Sequence, residues 1–228
     1  RFEQQISMFM KKTGLIVTFL LMIFATQAQI ITDKNSKKYT IGFDMYTDFV
    51  TKYPADYNPA TFNPGFNVYG TYNFPVGKSP HIFALGVGIS THNLYSNTKI
   101  ADLNADTISF NPITFNYKRS KINLTYLDIP AELRLKFKHN IKIGIGFKMS
   151  ILIDSKEKYI GDISLKGPRV YEKNKRINSL ETYTFGPTLR VGYKWVSLFG
   201  YYQIGRTFNS TRGPEFSPVS VGLSISPF

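Results

Sequence analysis

Residues 127–137, LDIPAELRLKF, and residues 141–153, IKIGIGFKMSILI, keep a two-residue beat through two segments joined only by Lys138, His139 and Asn140. Leu127, Ile129, Ala131, Leu133, Leu135 and Phe137 alternate with Asp128, Pro130, Glu132, Arg134 and Lys136. After the turn, Ile141, Ile143, Ile145, Phe147, Met149, Ile151 and Ile153 alternate with Lys142, Gly144, Gly146, Lys148 and Ser150. Side chains on a strand point to opposite faces in turn, so one face is an apolar band and the other carries charge or glycine. Such a hairpin suits a wall with hydrocarbon on one side and a narrow polar interior on the other.

The 228 residues are enough for one domain with a sizeable core. Without cysteine, disulfides, thiolate metal sites and cysteine nucleophiles are excluded. The longest apolar run is Leu15 to Phe24, preceded by Lys11 and Lys12 and followed by Ala25, Thr26, Gln27 and Ala28. A positive start, a short apolar stretch and a small-residue end read as a secretory signal peptide cleaved after Ala28, with residues 1–9 as upstream sequence. Residues 29–228 are then the mature domain. No later stretch reaches the length of about 20 apolar residues that a membrane helix needs. The net charge is +13, of which residues 29–228 keep +11. It is spread over strands and loops with no basic helix or RNP-like motif, which argues against nucleic acid. In an exported chain the anionic partners that fit are lipid headgroups and lipopolysaccharide phosphates.

Outward from the central hairpin, alternation marks eight strands: about 39–50, 65–74, 82–93, 121–137, 141–153, 182–195, 197–207 and 218–225. Short turns at 75–80, 138–140 and 195–197 alternate with long connections at 51–64, 94–120, 154–181 and 208–217. In an up-and-down barrel this puts all long loops at one end. Leu127 to Phe137, tilted about 40°, rises about 25 Å, the height of a lipid-facing band. Aromatics near strand ends suggest two interfacial girdles: Tyr39, Phe74, Phe137, Trp195 and Phe199 at the short turns, and Phe66, Tyr95, Tyr126, Tyr183 and Phe208 near the long loops. A soluble lipocalin-like barrel shares the same period. Against it stand the loop asymmetry and the glycines of the polar face, such as Gly42, Gly86, Gly144 and Gly222, which suit a crowded eight-strand interior. The expected fold is all-β: an eight-stranded antiparallel up-and-down transmembrane β-barrel.

The polar face holds Asp44, Asp128, Glu132, Arg134, Lys136, Lys142, Lys148, Arg190 and Lys194. Interior charges must pair, because isolated buried charge is very costly. Glu132 is placed as a hub between Arg134 and either Lys148 or Arg190. The same residues could line an anion-selective conduit, but eight strands leave a lumen filled by side chains, so a salt-bridge plug is the better fit. His92, with Ser90, Ser96 and Asp102 nearby in sequence, is the one place where a hydrolase could be sought. Asp102, Asn104 and Asp106 lack calcium-loop spacing, and no metal, cofactor or catalytic motif is present. The 154–181 connection is rich in cations, namely Lys156, Lys158, Lys166, Arg169, Lys173, Lys175 and Arg176, and suits lipopolysaccharide or a protein partner. The 94–120 connection, with Ile100, Leu103, Ile108, Phe110, Ile113 and Phe115, is too apolar to hang free. It should extend the hairpin or fold over the barrel mouth.

The run from Leu124 to Phe137, with its Tyr126-Leu127-Asp128-Ile129-Pro130 core, resembles the strand signature of the PorT-like outer-membrane β-barrel proteins of Bacteroidetes. Gly192 to Trp195, Val221 to Ile225 and the Gln27-Ala28-Gln29 leader end are similar to theirs as well. Pro227 departs from the pattern by breaking alternation before Phe228. The resemblance implies an eight-stranded outer-membrane barrel, in a family of shared architecture rather than one activity, with a link to secretion machinery in PorT itself. The function expected is non-enzymatic, structural or interactive, with outer-membrane lipid, lipopolysaccharide and envelope proteins as partners. A small pore is the alternative, and a lipid-modifying enzyme a more distant one.

Overall fold

A computed structural model describes residues 38–102, 107–162, 167–209, 211 and 213–227. The signal peptide, Leu103, Asn104, Asp106, Lys166 and Phe228 lie outside the described residues. The chain divides into two units, residues 1–39 and 40–228; the strands fall in the second, except that the first of them starts one residue earlier.

Among the described residues eleven strands run in chain order: β1 (Tyr39–Thr51), β2 (Pro64–Pro75), β3 (Ile82–Tyr95), β4 (Thr98–Ile100), β5 (Phe110–Pro112), β6 (Tyr117–Lys136), β7 (Ile141–Asp162), β8 (Arg169–Lys175), β9 (Tyr183–Tyr193), β10 (Val196–Tyr202) and β11 (Ser217–Ile225). Eight of them close a ring in the order β1-β2-β3-β6-β7-β9-β10-β11. The ring is shut by antiparallel pairing of β1 with β11, from Phe43 against Ile225 to Thr51 against Ser217. Closure removes the free edges that an open sheet would offer to lipid, where unpaired backbone groups cost several kcal/mol each. The turns that join the strands at the short end use left-handed residues: Gly77, His139, Asn140 and Lys194 all have φ between 52° and 62°.

The alternation now acquires directions. Val87 is 62% exposed, Leu198 65% and Ile145 55%, whereas Asp44, Asp128 and Arg134 are at or below 1%. The apolar rows face out and the charges face in, the reverse of a soluble barrel. Glycine is required where interior side chains cross the lumen. A Cβ at Gly42 would enter the Tyr69 ring, and one at Gly144 would press on the Glu132 carboxylate.

Several sequence expectations need correction. Tyr126, Phe199 and Phe208, assigned to the girdles, are buried inside. Tyr126 shares strand parity with Asp128, and Phe199 with Tyr201, so the same alternation that turns the charges inward turns these rings inward too. The 154–181 connection is mostly strand. β7 runs nine residues beyond Ile153 and pairs with β8 from Lys156–Lys175 to Asp162–Arg169. β6 likewise begins at Tyr117, so the barrel wall continues above the apolar band as a β6–β7–β8 sheet. The small β4–β5 hairpin lies on the inner side of this extension, where Ile100 N donates to Glu157 Oε1 at 2.7 Å.

Candidate functional site

The lumen is filled in layers. Nearest the short turns, Asn73 Nδ2 donates to Thr40 Oγ1 at 2.8 Å, and Arg134 Nη1 donates to Asn73 Oδ1 at 3.1 Å. Arg134 Nε then reaches Glu132 Oε1 at 2.7 Å, while the other Glu132 oxygen pairs with Arg190 Nη1. Arg190 Nη2 donates to Asp44 Oδ2 at 2.8 Å, an oxygen shared with Asn67 Nδ2 at 3.0 Å. The Arg190 guanidinium also lies 4.9 Å from the Tyr69 ring centre and 4.8 Å from that of Phe199. Thus Glu132 bridges two arginines and Arg190 bridges two carboxylates. Charge-assisted pairs of this kind are short and directional, and in a water-poor interior they hold strands in one register.

One layer up, Lys148 Nζ donates to Asp128 Oδ2 at 3.2 Å and stands 4.1 Å from the Tyr201 ring centre. Lys148 therefore serves Asp128, and the second cation at Glu132 is Arg190. Above that, Asp48 holds His92 Nδ1 at 2.8 Å and accepts from Ser220 Oγ at 2.6 Å; Tyr46 OH is 3.2 Å from His92 Nε2. The four buried carboxylates of the lumen, Asp44, Asp48, Asp128 and Glu132, are matched in number by the buried cations Arg134, Lys142, Lys148 and Arg190, although Asp48 meets His92 and Lys142 lies opposite Lys136 of β6. Such a lumen is balanced in charge rather than cationic. Lys194 is placed elsewhere. Alternation ends at Tyr193, and Lys194 sits exposed in the turn with its ammonium 5.2 Å from the Tyr193 ring centre.

The top of the lumen is closed by apolar side chains. Tyr57, Leu94, Ile100, Ile108, Phe110, Ile122, Leu124, Tyr126, Ile177, Phe208 and Phe216 form one buried cluster with Val50. Tyr57, Phe110, Phe208 and Phe216 meet edge to face, with ring centres 5.0 to 5.8 Å apart. Of the apolar residues of the 94–120 connection, Ile100, Ile108 and Phe110 fold back over the mouth, while Ile113 and Phe115 stay half-buried outside this cluster. The hydrolase constellation around His92 does not assemble. His92 is buried beneath this cap, its Nε2 faces Tyr46 rather than a serine, and Ser96 bonds within its own turn to Thr98. Among the described residues no cluster of three or more histidines and acids could hold a metal.

Above the cap stands the β6–β7–β8 extension. Its inner face carries the acids: Glu157 accepts from Ile100 N, and Glu172 pairs with Lys99 of β4. Its outer face carries Lys156, Lys158, Lys173, Lys175 and Arg169, with Lys121 from β6. Lys156 pairs with Asp154 and Arg169 with Asp162 at 3.5 Å. Arg176 follows β8 in a left-handed conformation, φ 60°, as the chain turns back toward the cap.

The family described as outer membrane protein beta-barrel domain matches the sequence over residues 27–210. Two crystal structures of Ail, the attachment invasion locus protein of Yersinia pestis, align with the chain. One is in complex with the heparin analogue sucrose octasulfate. Each alignment has 11% identity and covers 83% of this chain; they cover 97% and 98% of the Ail chains, with TM-scores of 0.37 and 0.38. Among curated proteins none matches in sequence.

Proposed function

The chain belongs to the outer membrane protein beta-barrel domain family and lies in the outer membrane, and from that premise we propose that it is a non-enzymatic protein which works through its long-loop end. The single observation that carries this reading is the doubly closed lumen. A network from Asp44 through Arg190 and Glu132 to Arg134 fills the lower half, and an aromatic cap seals the mouth. A barrel so filled offers solutes no path, whereas the strands that rise beyond the membrane present a broad, regular surface. Its partners are outer-membrane lipid, lipopolysaccharide and other envelope proteins. The resemblance of residues 124–137 to the PorT-like proteins of Bacteroidetes supports a place beside envelope or secretion machinery. In this reading residues 1–28 are removed on export and residues 29–228 are the working domain.

The absence of cysteine makes the test direct. A single Tyr171→Cys on β8 and a single Val76→Cys in the β2–β3 turn would be expressed in intact cells and exposed to a membrane-impermeant maleimide. The expected result is labelling of Tyr171→Cys only. Labelling of Val76→Cys alone would reverse the orientation and remove the basis for an extracellular working surface.

A further inference from the structure

The outer wall of the extension carries an ordered array of lysines that its own fold leaves unbalanced. Tyr95, Lys121, Lys158 and Lys173 stand directly opposite one another across β3, β6, β7 and β8. Asn93, Asn123, Lys156 and Lys175 form the next row toward the membrane in the same register. Like charges directly opposite on a sheet repel. Partial loss of hydration, and then the charges of Lys121, Lys173, Lys156 and Arg119 around it, push the Lys158 ammonium below the usual lysine range. Alternation sends Glu157 and Glu172 to the opposite face, where they serve Ile100 and Lys99. Among the described residues only Lys156 of these five lysines forms a salt bridge, with Asp154, whose single carboxylate also feels Lys175.

The position of the rows is as informative as their charge. Ile89, Leu127, Ile151 and Tyr183 form the uppermost apolar row of the same wall segment. The two lysine rows stand four and six residues farther along β6, about 10 and 15 Å higher for strands of about 3.3 Å per residue tilted about 40°. The headgroup layer is about 5–8 Å deep on each side of the hydrocarbon core, so the backbone rows stand just above it and long lysine side chains reaching back down the wall bring their ammonium groups to its outer edge. Lys121 is held in place there, its Nζ donating to Asn93 Oδ1 at 2.7 Å and lying 5.0 Å from the Tyr95 ring centre.

We propose that the rows Lys121–Lys158–Lys173 and Lys156–Lys175 are a binding surface for the phosphate groups of outer-leaflet glycolipid. The proposal deepens the reading of the long-loop end as extracellular and rests on it. A lipid phosphate between facing ammonium groups removes the cross-strand repulsion and ties the extension to the membrane surface at a fixed height. Each lysine near an anionic surface strengthens binding about fivefold, so three acting together should account for about a hundredfold.

The test uses the full mature barrel in phosphatidylcholine vesicles, in vesicles doped with a diphosphorylated glycolipid, and in vesicles doped with the same glycolipid after dephosphorylation. The thermal unfolding midpoint is read from β-sheet circular dichroism, and bound glycolipid from its retention on the purified barrel. The diphosphorylated lipid should raise the midpoint of the wild type and the dephosphorylated lipid should not. The K121Q/K158Q/K173Q variant should lose about a hundredfold in apparent affinity for the lipid and the midpoint shift with it, while melting no lower than wild type in plain phosphatidylcholine. K138Q, at the opposite end of the barrel, should respond like the wild type. Equal shifts from both glycolipids, an undiminished response in the triple variant, or the same shift from inorganic phosphate alone would overturn the proposal. Maleimide labelling of Tyr171→Cys separates the two levels. If that cysteine labels and the lipid arms fail, the lipid site alone is lost; if it does not label, both readings fall.

Discussion

At the scale of single residues, Glu132 is where the interior can be broken most cleanly. Both its oxygens are committed, one to Arg134 and one to Arg190, and Gly144 leaves room for the carboxylate. Glu132→Ala strands two guanidiniums in the lumen, and removing one partner of a buried pair costs about 3–5 kcal/mol. Urea unfolding of the refolded barrel should show a loss of that size. Lys194→Gln, made in an exposed turn, should stay within about 0.5 kcal/mol of wild type. A Glu132 variant as stable as Lys194→Gln would mean that the network does not hold the barrel together. Sequence alone identifies Glu132 and Arg134 as inward-facing, because their strand alternates without interruption from Leu127 to Phe137. Which cation completes the hub depends on register around the ring, where Arg190 stands opposite Gly144 and Gly144 opposite Arg134. No alternation signal carries that information. Lys194 misleads for a related reason: parity has no meaning past the last paired residue of a strand.

At the scale of elements, the strands have two regimes. Within the membrane each pairs an apolar row with a polar one, and the limits of β1, β2 and β11 are legible to within a residue or two, whereas β10, expected to reach residue 207, stops at Tyr202. Above it, from Asp154 on, β7 reads Asp154, Ser155, Lys156, Glu157, Lys158, with polar residues on both sides. Both faces of such a strand meet polar surroundings, so the contrast that reveals a strand vanishes, and the β7 extension and β8 read as loop. The two regimes should respond differently to substitution. Val87→Arg, inside the lipid-facing row Phe83–Leu85–Val87–Ile89 of β3, should cost about 2–4 kcal/mol in folding from urea into lipid. Tyr171→Arg on the exposed face of β8 should be close to neutral. The cap is a third kind of element, built from connections rather than strands. Phe208 is fully buried against Phe110 and Phe216, and Phe208→Ala should cost about 3–5 kcal/mol by leaving a cavity. Limited proteolysis from outside intact cells should then cut the 94–120 and 208–217 connections faster, while the membrane strands stay protected.

At the scale of the whole molecule, closure and filling act together. The β1–β11 pairing satisfies the last backbone edge of the ring, and Asp44, Glu132, Arg134 and Arg190 pair with one another, so the barrel can stand in hydrocarbon with its lumen filled. Sequence indicates the ring through the alternation of long and short connections. The sealing of the mouth is hinted at only by the apolar character of the 94–120 connection, because its partners Tyr57, Ile177, Phe208 and Phe216 come from three other connections. In the proposed reading, a barrel sealed at both levels works through the surface above the membrane. The most direct test is the conductance of the purified mature barrel in a planar lipid bilayer. The filled lumen predicts insertion without stable open channels across the usual range of voltage and salt. Reproducible stepwise currents from the wild-type protein would contradict it, and with it the view that the interior charges close the barrel.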